Sequence, residues 1–281
     1  MTPLEFVLIC FFVSIAGGFV GSLLGLGGGL IVIPALTLAL KVDIRYAIGA
    51  SIVSIIATSS GAAAAYIRER MTNLRVAMVL EVATTLGAVT GGYLAGRIAG
   101  HWLFMVFGVV MACSAVMMLR KRRSAATDDD EGTPWANYLR LRGSYYDGAL
   151  NKEIAYRPVR ARMGLGLMYV AGMMSGLLGI GSGVLKVPAM DLAMRLPIKV
   201  STATSNFMIG VTAAASAGLY FARGEINPFI AGPVAAGILV GAVIGARVMG
   251  RLHHTLIRYV FVVVLLIVSV QMLLKGLKGL L

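Results

Sequence analysis

The chain has 281 residues, of which 58% are hydrophobic and 13% charged, with a formal net charge of +13 and a mean hydropathy of +0.87. So few polar side chains cannot cover a water-soluble globule, so the bilayer is the expected solvent. The basic excess does not point to nucleic acid, because Lys and Arg fall mainly in short loops and one linker beside apolar stretches, where membrane topology accounts for them.

In chain order, apolar stretches run from Leu4 to Leu40, Ala47 to Ile67, Val76 to Leu94, Trp102 to Leu119, Met163 to Met194, Val200 to Ala222, Pro228 to Val248 and Leu256 to Leu274. Each is long enough for a crossing of roughly 18 to 20 residues, which predicts an all-α polytopic membrane protein of about six to eight spans. The first and fifth are too long for one straight crossing and are interrupted by glycines, which predicts broken helices or re-entrant hairpins. The N-terminus does not read as a cleavable signal: its early charge is Glu5, no basic segment precedes the apolar run, and that run continues too far. Cys10 and Cys113 lie inside apolar spans without His or Cys at metal-ligand spacing, and read as packing residues. No cofactor is expected.

An internal repeat organises the whole chain. GFVGSLLGLGGGLIVIP at 18–34 aligns without gaps to GMMSGLLGIGSGVLKVP at 172–188, an offset of 154 residues. In the same register Ser51 matches Ser205, Thr58 matches Thr212, Tyr66 matches Tyr220, Asn73 matches Asn227 and Arg97 matches Arg251. Residues 1–120 therefore form a first transmembrane repeat and 163–281 a second. The linker 121–162 between them carries 9 basic and 6 acidic residues. Alternation in Tyr138 to Tyr146 and Glu153 to Arg160, around DGALNK, predicts a β-hairpin there, and its basic character predicts a cytoplasmic position.

If each Gly-broken segment re-enters, each half crosses three times and the halves are inverted. Arg68, Arg70, Arg75, Arg195, Lys199, Arg251 and Arg258 then share the linker's side, against Lys41, Arg45, Arg97, Arg223, Lys275 and Lys278, a margin of one residue. Inverted repeats with discontinuous helices are a recurring construction of secondary transporters. Broken helix ends near Gly25, Gly27, Gly28 and Gly29, and near Gly179, Gly181, Ser182 and Gly183, carry positive partial charge suited to an anion. The isolated pairs Gly17 with Gly21, Gly87 with Gly91 and Gly237 with Gly241 read instead as close helix packing. Neither Gly cluster has nucleotide-loop spacing.

Ionisable residues inside spans are costly and become site candidates. Lys186 follows the second break, where its counterpart is Val32, and would add full positive charge to a site for a small oxyanion. Its bland alternatives are snorkelling to the interface and pairing with Asp191. Glu81 lies several residues into its span and would pair with a cation, carry a coupling proton or reach back to a loop. Asp191 reads as a local partner of Arg195. Ser51, Thr58, Thr212 and STATSN at 201–206, including Ser205 and Asn206, offer hydroxyl and amide donors, although such residues also glue helices.

GLGGGLIVIPAL in the first half, and GLLGIGSGVLKVPAM followed by KVSTATSNFMIG in the second, resemble the TauE/SafE sulfite exporter family over nearly the whole chain. GSYYDGAL in the linker resembles the soluble hairpin of one branch of that family. The resemblance implies a multi-pass permease of the inner (plasma) membrane that exports small sulfur-containing anions such as sulfite or organosulfonates, and the paired Gly-broken elements suggest alternating access as its mechanism. It places the substrate at Gly27, Gly28, Gly29, Gly181, Ser182 and Gly183, with Lys186 beside them. Ser182 departs from the family's three glycines, adding a hydroxyl or narrowing the site. The partners expected are a small anion and the lipid bilayer, with a homo-oligomer left open. The rival readings are an anion channel and a membrane assembly factor. An enzyme is disfavoured, since His101, His253 and His254 sit in no HExxH motif and GxSxG is absent.

Overall fold

The computed structural model describes residues 2–69, 71–119, 138–139, 141–147, 151–249 and 252–278. KRRS and DDDEG of the linker, Arg70, Arg251 and the tip of the expected hairpin lie outside these residues. About four-fifths of the described residues are helical.

Helix α1 (Pro3–Leu24) starts in a capping box, in which the Thr2 hydroxyl accepts from Glu5 N and the Glu5 carboxylate accepts from Thr2 N. It stops at Gly25, whose φ of 72° is the left-handed cap that glycine adopts without penalty. The chain then doubles back as α2 (Gly29–Pro34), which continues as a π-helical turn over Ala35–Ala39. Pro34 has no N–H to continue the α ladder, and the wider turn follows it, with Leu40 N donating to Ala35 O. Val32, Ala35, Leu36 and Ala39 lie back against Cys10, Val13 and Ser14, so α1 and α2 form a hairpin of unequal arms. Three long helices follow: α3 (Ile44–Arg68), α4 (Leu74–Ala95) and α5 (Gly100–Leu119).

The second half uses the same elements. Helix α6 (Ala161–Leu178) ends on left-handed Gly179, α7 (Gly183–Pro188) leads into a π turn (Ala189–Ala193), and α8 (Ile198–Ala222), α9 (Pro228–Met249) and α10 (His254–Lys278) complete the bundle. The bounds of α2, its π turn, α3 and α4 recur 154 residues later in α7, its π turn, α8 and α9. Among the described residues, seven helices are long and apolar enough to cross a membrane by length and composition, namely α1, α3, α4, α5, α6, α9 and Thr255–Lys278 of α10. As long as α3, helix α8 buries a polar run at its start, Ser201, Thr202, Thr204, Ser205 and Asn206.

Helices at corresponding positions run in opposite directions. The start of α3 meets the end of α8, where Arg45 Nη1 lies 4.0 Å from Glu225 Oε1. The other end of α3 leads to Asn73, whose N–H donates to Thr204 Oγ1 in the early turns of α8 at 3.1 Å. In the α5–α10 pair, Ser269 Oγ donates to Gly108 O and Gly276 packs on Met105, which makes the pair antiparallel. The pairs α1 with α9 and α4 with α6 are held by close backbone contact: a Cβ on Gly241 would lie 2.0 Å from Ile15 O, and one on Gly91 1.9 Å from Met173 O. The glycines of these spans thus serve packing.

Strands β1 (Gly143–Asp147) and β2 (Lys152–Tyr156) pair antiparallel, with Tyr145 opposite Ile154. They are shorter than the alternating stretches that announce them. The hairpin is sewn to one end of the bundle. Asn73 Nδ2 donates to Leu141 O and to Tyr156 Oη, and Lys199 Nζ meets Asp147 Oδ1 at 2.8 Å with both side chains buried. Burial lifts the Tyr156 phenol above its usual pKa, against the lowering effect of the Asn73 bond. Lys199, expected among the loop charges, belongs to the first turn of α8.

Candidate functional site

The two glycine breaks, far apart in sequence, meet in space. A Cβ on Gly183 would lie 1.9 Å from Gly25 O and 2.9 Å from Leu26 Cα, and one on Gly29 would lie 3.1 Å from Gly179 O. Only bare backbone permits this approach. Two serine hydroxyls hold it in reciprocal fashion: Ser51 Oγ donates to Gly179 O at 2.6 Å, and Ser205 Oγ donates to Gly25 O at 2.8 Å. One turn away, two buried tyrosines tie each first helix to the long helix of its own half, Tyr66 Oη donating to Ser22 O and Tyr220 Oη to Gly176 O. Asn206 Nδ2 adds a second donor to Ser22 O at 2.7 Å. Ser51, Ser205 and the Asn206 amide therefore spend their donor capacity on crossing-over carbonyls.

From the contact, the short arms leave in opposite directions. Asp191, in the π turn after α7, binds Arg258 near the start of α10, while Thr37 O, in the π turn after α2, accepts from Lys275 near its end. These anchor points are roughly 25 Å apart along α10 at 1.5 Å per residue. The Asp191 carboxylate thus has a distant partner in Arg258, beyond its expected neighbour Arg195.

At the breaks, Gly25, Gly27, Gly28, Gly179 and Gly181 all have positive φ, and Ser182 is forced to φ 26°. The first N–H of each arm turns inward, Gly29 N to Gly27 O and Gly183 N to Gly181 O. Four buried polar atoms with no hydrogen-bond partner among the described residues lie at the start of α7 and in the first turns of α8, namely Ser182 Oγ, Ser201 Oγ, Thr202 Oγ1 and Asn206 Oδ1, while Ser114 Oγ of α5 and Arg223 Nη2 are others, outside these two segments. Thr202 borders Gly25, which borders Gly183, the residue after Ser182. Buried groups of this kind cost free energy unless something satisfies them.

Lys186 lies one turn into α7 and is fully buried. Its Nζ donates to Thr212 Oγ1 at 2.7 Å and lies 3.4 Å from Glu81 Oε2. Thr212 Oγ1 is 2.6 Å from Glu81 Oε1, and Thr85 Oγ1 is 3.3 Å from the same oxygen. Lys186 therefore neither snorkels to a loop nor pairs with Asp191: its partner is Glu81 of α4. Ile209, one turn before Thr212, presses its Cδ1 toward Gly27, which places this charged group close behind the breaks. Thr58, the counterpart of Thr212, bonds Ser54 O at 2.9 Å and approaches Gly27 O at 3.4 Å.

Sequence reasoning missed three buried pairings, Lys186 with Glu81, Lys199 with Asp147 and Arg258 with Asp191. The placement of charge inside apolar runs signalled the first and third of them, and nothing in the sequence signalled the second.

A model of the family described as "Sulfite exporter TauE/SafE" matches residues 10–272. The chain is 27% identical over 271 residues to "Probable membrane transporter protein YunE" of Bacillus subtilis, covering 94% of this chain and 96% of that one. It is 26% identical over 268 residues to a "Probable membrane transporter protein" of Xylella fastidiosa strain 9a5c, covering 92% of each. To "Probable membrane transporter protein YdhB" of Bacillus subtilis it is 25% identical over 242 residues, covering 86% of this chain and 88% of that one. No solved structure matches it. With the family model spanning all but the chain's ends, and a bundle of apolar helices meeting at paired glycine breaks, the chain is a multi-pass membrane protein that belongs to the TauE/SafE sulfite exporter family.

Proposed function

We propose that the protein is a secondary transporter that exports a small sulfur-containing anion, such as sulfite or an organosulfonate, across the inner (plasma) membrane by alternating access. The observation that carries this reading is the meeting of the two breaks, with Ser182, Thr202 and Ser201 lacking hydrogen-bond partners among the described residues beside them and Lys186 one turn behind. Hydroxyls and one ammonium are donors that a small sulfur oxyanion accepts from. An apolar solute would leave those hydroxyls unsatisfied. Antiparallel counterparts on either side of the contact support an inverted repeat, in which the two arms exchange roles to open one end of the bundle or the other. The hairpin end is assigned to the cytoplasm from the basic character of the linker. Export of a negative charge from a negative interior gains about 2.3 kcal/mol per charge per 100 mV.

Uptake of labelled sulfite, thiosulfate and sulfoacetate into proteoliposomes, with and without an imposed potential, tests this. Saturable flux with counterflow is expected, with Lys186→Ala at least about tenfold slower, a loss of roughly 1.4 kcal/mol. Flux that neither saturates nor shows counterflow would make the protein a channel. A stable protein partner with no flux of any anion would make it an assembly factor.

A further inference from the structure

We propose that Glu81 couples anion movement to a proton: it holds Lys186 in this state, surrenders it to the incoming anion, and is protonated as it does so. This rests on the transporter reading above and adds the coupling ion to it. Three observations carry it. First, the pair is not needed to support the arm, because at the matching positions of the other half stand Val32 and Ala235, and that arm holds the same conformation without charge. Second, the pair spans the two halves, with Glu81 on α4 and Lys186 on α7, so it joins elements that alternating access would move relative to one another. Third, Lys186 Nζ sits nearer Thr212 Oγ1 than the carboxylate, at 2.7 Å against 3.4 Å, so the ammonium is already partly shared.

The charge balance follows. Lys186 and Glu81 together are neutral. An anion drawn to Lys186 brings a second negative charge beside the Glu81 carboxylate, and like charges in a buried site favour the protonated form of one of them. The proton comes from water on the side to which the site is open, and Lys186 stays an ammonium throughout. The new O–H of Glu81 can donate to Thr212 Oγ1 or Thr85 Oγ1, both already within 3.3 Å of its carboxylate. The groups around the carboxylate are Lys186 from α7, Thr212 from α8 and Thr85 from α4 itself. From α6, Gly172 packs at Thr84, and the Tyr169 hydroxyl meets Thr90, more than two turns along α4. When the anion leaves, Glu81 loses its proton on the same side and takes Lys186 back, so anion and proton travel together, and the membrane potential acts only on the anion charge that the proton does not cancel, one charge for a dianion such as thiosulfate.

The test uses the intact protein in detergent with thiosulfate and sulfoacetate, both fully ionised near neutral pH, titrated calorimetrically in buffers of different ionisation heat. Wild type is expected to take up close to one proton per anion bound, Glu81→Gln none, and Glu81→Asp to retain the uptake. In proteoliposomes, a gradient of one pH unit should change wild-type accumulation about tenfold, and leave Glu81→Gln unaffected. Anion binding by wild type without proton uptake overturns the proposal and leaves the transporter reading standing, whether or not Glu81→Gln folds. A Glu81→Gln variant that still responds to the gradient also overturns it. No binding of either anion by wild type removes the anion reading, and this proposal with it.

Discussion

The two glycine breaks share a backbone and differ in chemistry. Both turn back through left-handed glycines, both lead through a proline into a π turn, and both are tied by a serine hydroxyl to a carbonyl of the other. Around the first break, however, the matching side chains are Val32 and Ala235, with Ala47, Ile48 and Ile52 on α3. Around the second stand Lys186 and Glu81, with Ser201, Thr202 and Asn206 on α8. The shared features build two arms of the same backbone form. The differences put the charge and the unsatisfied donors on one of them, so the scaffold is symmetric while its chemistry is not.

The sharpest way to break this comparison is to move the charge. Lys186→Met leaves Glu81 buried without its partner, and removal of one member of a buried pair costs about 3–5 kcal/mol. The double variant Lys186→Met with Glu81→Leu, which makes the second break resemble the first, should recover most of that stability while transport stays at least about tenfold below wild type. Conversely, Val32→Lys should destabilise the first arm by a similar amount, and Ala235→Glu added to it should restore part of the loss. Thermal unfolding of purified protein followed by intrinsic fluorescence reads all four. If Val32→Lys alone proves harmless, the first break is wetter than its apolar lining implies and the contrast fails.

A smaller effect separates the two breaks at their point of contact. Gly183→Ala drives a methyl into Gly25 O, a backbone atom that cannot rotate away, and overpacking of this kind costs about 1–3 kcal/mol. Gly29→Ala meets Ser51 Oγ at 2.2 Å, the end of a side chain that can turn aside. Its cost is chiefly the lost bond to Gly179 O, on the order of 1 kcal/mol. Gly183→Ala should therefore lower the melting temperature more than Gly29→Ala, while Gly232→Ala, with nothing within 4 Å, serves as the neutral control.

The membrane class, the positions of both breaks and the 154-residue register were legible because each rests on local pattern: apolar run length, glycine clusters and matched motifs. The pairing of Lys186 with Glu81 was not, because the two are 105 residues apart and meet only through the packing of α4, α7 and α8. Lys199 read as a loop charge since it follows Pro197 and precedes the apolar part of its span. Its burial comes from Asp147 on a hairpin that folds over the helix end. Ser51 and Ser205 stand out in the sequence as hydroxyls inside apolar spans suited to an oxyanion, but no pattern in the sequence tells a hydroxyl aimed at a ligand from one aimed at a carbonyl of the opposite arm. That distinction needs the third dimension.

The smallest expected effect lies where the two breaks differ by one hydroxymethyl group. Ser182 occupies the position of Gly28 at φ 26°, a region that favours glycine, and its hydroxyl has no partner among the described residues. Holding a residue in such a region costs on the order of 1–3 kcal/mol, which glycine largely avoids. Ser182→Gly should therefore raise the melting temperature, the opposite sign to every other change at this contact. If the hydroxyl serves the anion, the same variant binds thiosulfate or sulfoacetate more weakly, by up to about tenfold for the loss of one hydrogen bond of roughly 1 kcal/mol. Stability gained and affinity lost in one variant would mark Ser182 as a residue kept for binding at the expense of folding. Stability gained with affinity unchanged would leave the second break's specificity to Lys186, Thr202 and the backbone.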